Sequence, residues 1–124
     1  MTLYAVETYT CRLMAYDIIA PGKVRGASGP GGPGTLLYRP AGYKFFDSLG
    51  IDQDGNICIA TVGTSGISVV SPVGELVEFT PTAATFTTNS ARGGVSETAA
   101  ITTFSSTRKL VKAKWARPGL KLAF

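Results

Sequence analysis

The sequence predicts an all-β chain of antiparallel strands, and three observations carry that expectation. Apolar residues nowhere keep the helical spacing i, i+3, i+4, i+7 over a dozen positions without Gly, Pro or a β-branched run breaking it. Short runs rich in β-branched and aromatic residues recur instead, each bounded by Gly, Pro, Asn or Asp. The layout of these runs also repeats along the chain, at an interval of 54 residues and then of 42 to 43.

The runs in order are Leu3 to Thr8, Arg12 to Ile18, Thr35 to Tyr38, Ser48 to Asp52, Asn56 to Val62, Gly66 to Ser71, Glu75 to Phe79, Thr88 to Arg92, Thr98 to Phe104 and Leu110 to Trp115. Asp54-Gly55 lies between two apolar runs and supplies the positive φ of a tight hairpin; Pro72 to Gly74 makes a second short reversal. The stretch Gly26 to Gly34 holds only Gly, Pro, Ala and Ser, so it is expected to form the most mobile internal loop. It is not a phosphate loop, because no Lys-Ser/Thr pair follows.

The repeat aligns Leu3-Tyr4-Ala5-Val6-Glu7 and Leu13-Met14-Ala15-Tyr16 with Ile57-Cys58-Ile59-Ala60-Thr61 and Ile67-Ser68-Val69-Val70. A third copy runs Ala99-Ala100-Ile101-Thr102-Thr103 and Leu110-Val111-Lys112-Ala113-Lys114. Four short strands recurring every ~40 to 50 residues are the mark of a β-propeller blade. The fold class is therefore all-β, built of antiparallel β-propeller blades. One partial propeller domain over 1–124 is expected, with a blade remnant at 1–40, a complete blade at 44–80 and a last blade at 86–124. The first strand of each blade lines the central channel. Asp47 and Asn89 stand 42 residues apart at equivalent positions near the start of such strands. An Asp and an Asn on one channel are hard oxygen donors suited to Ca²⁺ or another divalent ion; Asp47 also suits a turn that starts a strand.

Composition bounds the chemistry. A length of 124 residues with 44% hydrophobic and 16% charged residues fits one compact, ordered domain. The chain has no histidine, which removes Ser-His-Asp and Cys-His catalysis and every His-containing zinc set. Cys11 and Cys58 lack CxxC spacing and read as buried thiols in a reducing cytoplasm. Glu7 and Arg12 interrupt the apolar run that a signal peptide needs, and no stretch approaches the ~20 apolar residues of a membrane span. A cytoplasmic protein with no membrane partner is expected.

Charge is unevenly spread. From Ser105 to Phe124 there are six basic residues and no acidic ones, which leaves six basic against eight acidic residues before them. Such a tail can touch phosphate. The plainer reading makes Lys112 and Lys114 the solvent face of a strand, alternating with Val111 and Ala113. Without interleaved aromatics or a recognition helix, nucleic acid is not an expected partner.

These motifs together resemble the gluconolactonase and senescence-marker-protein (regucalcin) family, six-bladed propellers that hydrolyse lactones with a metal. The resemblance is carried by Leu3-Tyr4 through Glu7-Thr8, Phe45-Phe46-Asp47-Ser48-Leu49-Gly50-Ile51-Asp52, Asp54-Gly55-Asn56, Gly74-Glu75-Leu76, Thr87-Thr88-Asn89 with Gly93-Gly94, and the ending from Trp115 to Phe124. It implies two to three C-terminal blades of six. It also implies Asp47 as catalytic residue and metal ligand, Asn89 as a second ligand, and a divalent ion, Ca²⁺ first and Zn²⁺ or Mn²⁺ next. The inner strand that should precede Leu3 and the Glu-bearing first blade of the family are absent from this sequence. The last blade departs from the pattern too, with Arg92 before Gly93-Gly94 and Val95-Ser96 after.

Two functions follow from the resemblance. One is the C-terminal part of a metal-dependent lactonase acting on a small sugar lactone, active only when a complete site is assembled. The other is a non-catalytic propeller fragment that serves as an oligomerisation or binding module. An arc of blades leaves apolar faces bare, here expected from Ile57, Ile59, Ile67, Val69 and Ile101, so a homo-oligomer is expected. A dimer completing a propeller-like ring is its simplest form.

Overall fold

A computed structural model describes residues 1–25, 34–83, 85–93, 98–104 and 106–121. Most of the loop Gly26 to Gly34, together with Val95 and Ser96, lies outside the described residues. The described residues form eleven strands and no helix. They are β1 (Thr2–Glu7), β2 (Arg12–Ala20), β3 (Lys23–Val24), β4 (Thr35–Tyr38), β5 (Phe46–Ile51), β6 (Ile57–Thr61), β7 (Gly66–Val70), β8 (Leu76–Pro81), β9 (Thr87–Gly93), β10 (Ala99–Phe104) and β11 (Lys109–Lys114).

All pairings are antiparallel, and the strands make three sheets. In the first, β1 pairs with β2, whose other edge takes β3 and then β4. The second is a meander in the order β5-β6-β7-β8, and the third is β9-β10-β11. The sheets follow one another by a repeated rule. The leading strand of one meets strands of the sheet before it, so β5 lies against β1, and β9 lies against β5 and β6. The 42-residue sequence repeat is thereby a repeat in space, because β6 meets β9 as β1 meets β5.

The second sheet sits in the middle, and its central strands β6 and β7 are buried at every position. Alternation along those strands sends Ile57, Ile59 and Val70 to a core with Leu13 and Phe46, against which Tyr4, Val6 and Leu37 of the first sheet pack. The opposite face sends Cys58, Ile67 and Val69 to a second core closed by Trp115. Register agrees, since Ile57 pairs with Val70 and Cys58 with Val69, and partners across a ladder share a face. Two polar groups enter this apolar setting by satisfying each other, with Thr61 Oγ1 and Ser68 Oγ 2.8 Å apart.

This packing corrects one expectation. Ile57, Ile59, Ile67 and Val69 were expected to leave bare apolar faces, yet each is at most 1% exposed within the single chain. Sheets one and three already cover both faces of the central one. The apolar residues left in solvent lie elsewhere, among them Leu36, Leu76, Val77 and Leu110. The side chain of Ile101 lies outside the described set.

The C-terminal segment straps the third sheet to the second. Gln53 N donates to Pro118 O and Leu120 N to Ile51 O, both at 3.0 Å, and Asp52 forms a bridge with Gly119. Trp115, 7% exposed, anchors the strap in the second core.

Candidate functional site

Asp47 is the second residue of β5 and is exposed. Its neighbours explain why it does not turn inward. Phe46 pairs with Thr61, but the next paired residue is Leu49 with Ile59, so a register shift leaves Asp47 and Ser48 outside regular pairing. Such a bulge re-aims side chains, and here the carboxylate makes no hydrogen bond or ion pair among the described residues.

The chain leading into Asp47 is held by backbone contacts on two sides. Lys44 N donates to Cys11 Sγ at 3.4 Å, Gly63 N donates to Lys44 O at 2.9 Å, and Val62 N donates to Phe45 O at 2.8 Å. Phe45 adopts φ +45°, a left-handed conformation costly for a bulky residue and kept only where its surroundings impose it. Its ring sits between Tyr43 and Tyr9, edge-on, with centroids 4.3 and 6.2 Å away. The Asp47 end of β5 is thus rigidly supported.

Asn89 lies in β9, opposite Thr103, whose Oγ1 accepts from Asn89 N at 3.1 Å. Its amide is exposed and makes no side-chain hydrogen bond among the described residues. One residue further on, Ser90 N donates to Ser48 Oγ at 3.4 Å. Equivalent positions of β5 and β9 therefore touch, and Asp47 and Asn89 each directly precede that contact. Among the described residues no group of three or more His, Cys, Asp or Glu could hold a metal ion. Ca²⁺ takes six to eight oxygens, so Asp47 and Asn89 by themselves do not make up a shell.

A different carboxylate carries the densest network, and sequence reading gave it no role. Asp52, 0% exposed, accepts from Asp54 N at 3.0 Å, Asn56 N at 2.8 Å and Asn56 Nδ2 at 3.0 Å. Arg117 Nε donates to the same carboxylate at 2.9 Å, and its Nη2 donates to Glu78 at 2.8 Å. Hydrogen bonds from Thr80 and then Arg117 hold the Glu78 carboxyl below the usual glutamate range. Reciprocally, Glu78 and then Asp52 raise the Arg117 guanidinium above its ordinary value against the opposing effect of burial. The spacing Asp52-x-Asp54-Gly55-Asn56 is the available signal: an Asx-type turn, with Gly55 at φ +83°. Its role is architectural, since all its visible lone pairs point at protein donors.

Residues 1–105 match the family described as SMP-30/gluconolactonase/LRE-like region, and the chain belongs to that family. No curated protein sequence matches it. Among solved structures it is similar to a protein assigned as a gluconolactonase, at 20% identity and TM-score 0.77, and to regucalcin from Agrobacterium tumefaciens, described as a calcium-binding protein, at 19% identity and TM-score 0.71. Both superpositions cover 98% of this chain, but 37% of the first neighbour and 46% of the second. The chain spans less than half the length of either, and the likeness at this identity concerns the fold.

Proposed function

We propose that this chain is the C-terminal part of a divalent-ion-dependent lactone hydrolase, with Asp47 at the reacting centre and Asn89 beside it. The observation that carries the reading is the Asp47 carboxylate: exposed, aimed outward by a bulge, on a rigidly braced strand end, next to the equivalent end of β9. Membership of a gluconolactonase-like family and a calcium-binding structural neighbour support it.

A bound divalent ion would supply the Lewis acidity that polarises a lactone carbonyl. The Asp47 carboxylate would hold that ion or take the proton of the attacking water, and Asn89 would contribute a neutral oxygen. In this reading the remaining donors would be supplied by further blades or by a second copy facing the same channel. The test measures hydrolysis of simple aldonolactones with added Ca²⁺, Zn²⁺ or Mn²⁺, beside calorimetric titration of the same ions. Asp47→Ala is expected to abolish both turnover and binding. Full activity in that variant, or no hydrolysis with any of the three ions by a protein that carries these residues together with the further blades, overturns the catalytic reading and leaves a binding module.

A further inference from the structure

Phe45 holds a conformation that a glycine would adopt without strain. Its φ of +45° is left-handed, and the residue that anchors this segment in the core is its neighbour Phe46, 0% exposed. The half-buried Phe45 ring packs against two other rings instead, standing nearly perpendicular to Tyr43 at 72° and to Tyr9 at 77°. Gly63 makes room for it, although Gly63 has no positive φ of its own: a Cβ there would meet Phe45 Cδ2 at 3.2 Å and Lys44 O at 3.1 Å. A strained bulky residue and a missing side chain beside it both serve to fix this aromatic group.

The two rings held in this way are largely in solvent. Tyr9 is 77% exposed and Tyr43 59%, so neither adds much to the core. Tyr9 comes from the turn between β1 and β2 and Tyr43 from the segment entering β5, and the bond from Lys44 N to Cys11 Sγ ties those segments together. Tyr43 stands four residues before Asp47, within about 14 Å even along a fully extended chain, and the left-handed turn at Phe45 shortens that reach. Tyr9 belongs to the first sheet, so the group extends from the Asp47 end of β5 toward that sheet.

Tyrosine rings are rigid and amphipathic, and the negative face of an aromatic attracts C–H groups such as those on the apolar face of a sugar ring. Resting on the lactonase reading above, we propose that Tyr9 and Tyr43 form a stacking platform for a pyranose ring joined to the lactone. The substrate class is then a glycosylated sugar lactone in place of the bare monosaccharide lactone. Its ester carbonyl lies at Asp47 and its added ring on the tyrosines, which set specificity and take no part in the bond-breaking step. Phe45 is the prop that holds them in place.

Saturation-transfer NMR on the full chain tests this without turnover, using as probes cellobionate and gluconate, two acids that differ by one pyranose ring. Saturable transfer to the pyranose C–H protons of cellobionate is expected, with affinity lowered about tenfold in Tyr43→Ala and in Tyr9→Ala and kept in Tyr43→Phe, which retains the ring face. Gluconate is expected to bind more weakly, and equally to the unmodified chain and the alanine variants. No transfer to the pyranose, equal affinity for the two acids, or cellobionate binding indifferent to both alanine substitutions overturns the platform. Cellobionate binding through Tyr43 in a protein that hydrolyses no lactone even with its further blades removes the lactonase reading and leaves the platform; hydrolysis without pyranose contact does the reverse.

Discussion

Arg117 closes a link with Asp52 across 65 residues of sequence, donating from Nε at 2.9 Å to a carboxylate that is fully buried. The same guanidinium reaches Glu78 on β8, so one side chain ties the strap after β11 to both the turn and the outer strand of the second sheet.

Replacing Arg117 with Ala is expected to cost about 2 kcal/mol, less than for an isolated buried pair because three other donors still serve Asp52. Asp52→Ala should cost more, about 3 kcal/mol, since it strands those donors as well. Urea unfolding monitored by Trp115 fluorescence measures both; equal effects would show that Arg117 alone carries the network.

Acid should weaken the fold through Glu78 and Glu7. Hydrogen bonds from Thr80 and Arg117 lower the first carboxyl, and hydrogen bonds from Arg12 and Thr10 lower the second. A depressed folded-state value contributes stability that is present above the unfolded value near 4.5 and lost as pH falls through the folded one. The urea midpoint is thus expected to hold at neutral pH and to drop below pH 4.5, with a shallower drop in Glu78→Gln. A midpoint that rises on acidification would contradict this sign.

Gly74 has φ +91°, and a Cβ there would collide with the backbone oxygen of Leu37. Gly74→Ala is expected to cost about 3 kcal/mol, from left-handed strain plus a clash with a main-chain atom that cannot swing away. Thermal unfolding checks it, and a loss under about 1 kcal/mol would mean the first and second sheets separate easily at that joint.

Trp115→Ala should cost about 3 kcal/mol or more, because the ring is 7% exposed and closes the core of Cys58, Ile67 and Val69. Amide exchange is expected to quicken at Gln53 and Leu120, whose bonds depend on the strap. Unchanged exchange there would show that the strap holds without its anchor.

Elements with a local signal were readable in the sequence. Thr35–Tyr38 was bounded to the residue, and Gly55 takes the positive φ expected of the Asp54-Gly55 reversal, whereas Asp54 does not. The two-residue β3 was missed, because a pair such as Lys23-Val24 has no periodicity to detect. Cys11 and Cys58 are buried and form no disulfide, as their lack of CxxC spacing suggested. What stayed hidden is long-range. Nothing near Asp52 announces Arg117, and nothing in Ile57 or Ile59 says that a neighbouring sheet covers them. The alternation of Lys112 and Lys114 with Val111 and Ala113 marked two faces but could not reveal that the apolar one borders a cleft rather than a core.

The touching serines, Ser48 and Ser90, are one repeat apart, so the joint between the second and third sheets brings two different flanks of a common unit together. Units stacked this way have a front and a back. A front never meets a front, and the stack has polarity like a polymer whose monomers add in a single direction. Gene duplication can therefore lengthen or shorten such an array by whole units, each newcomer arriving with a surface its predecessor already fits.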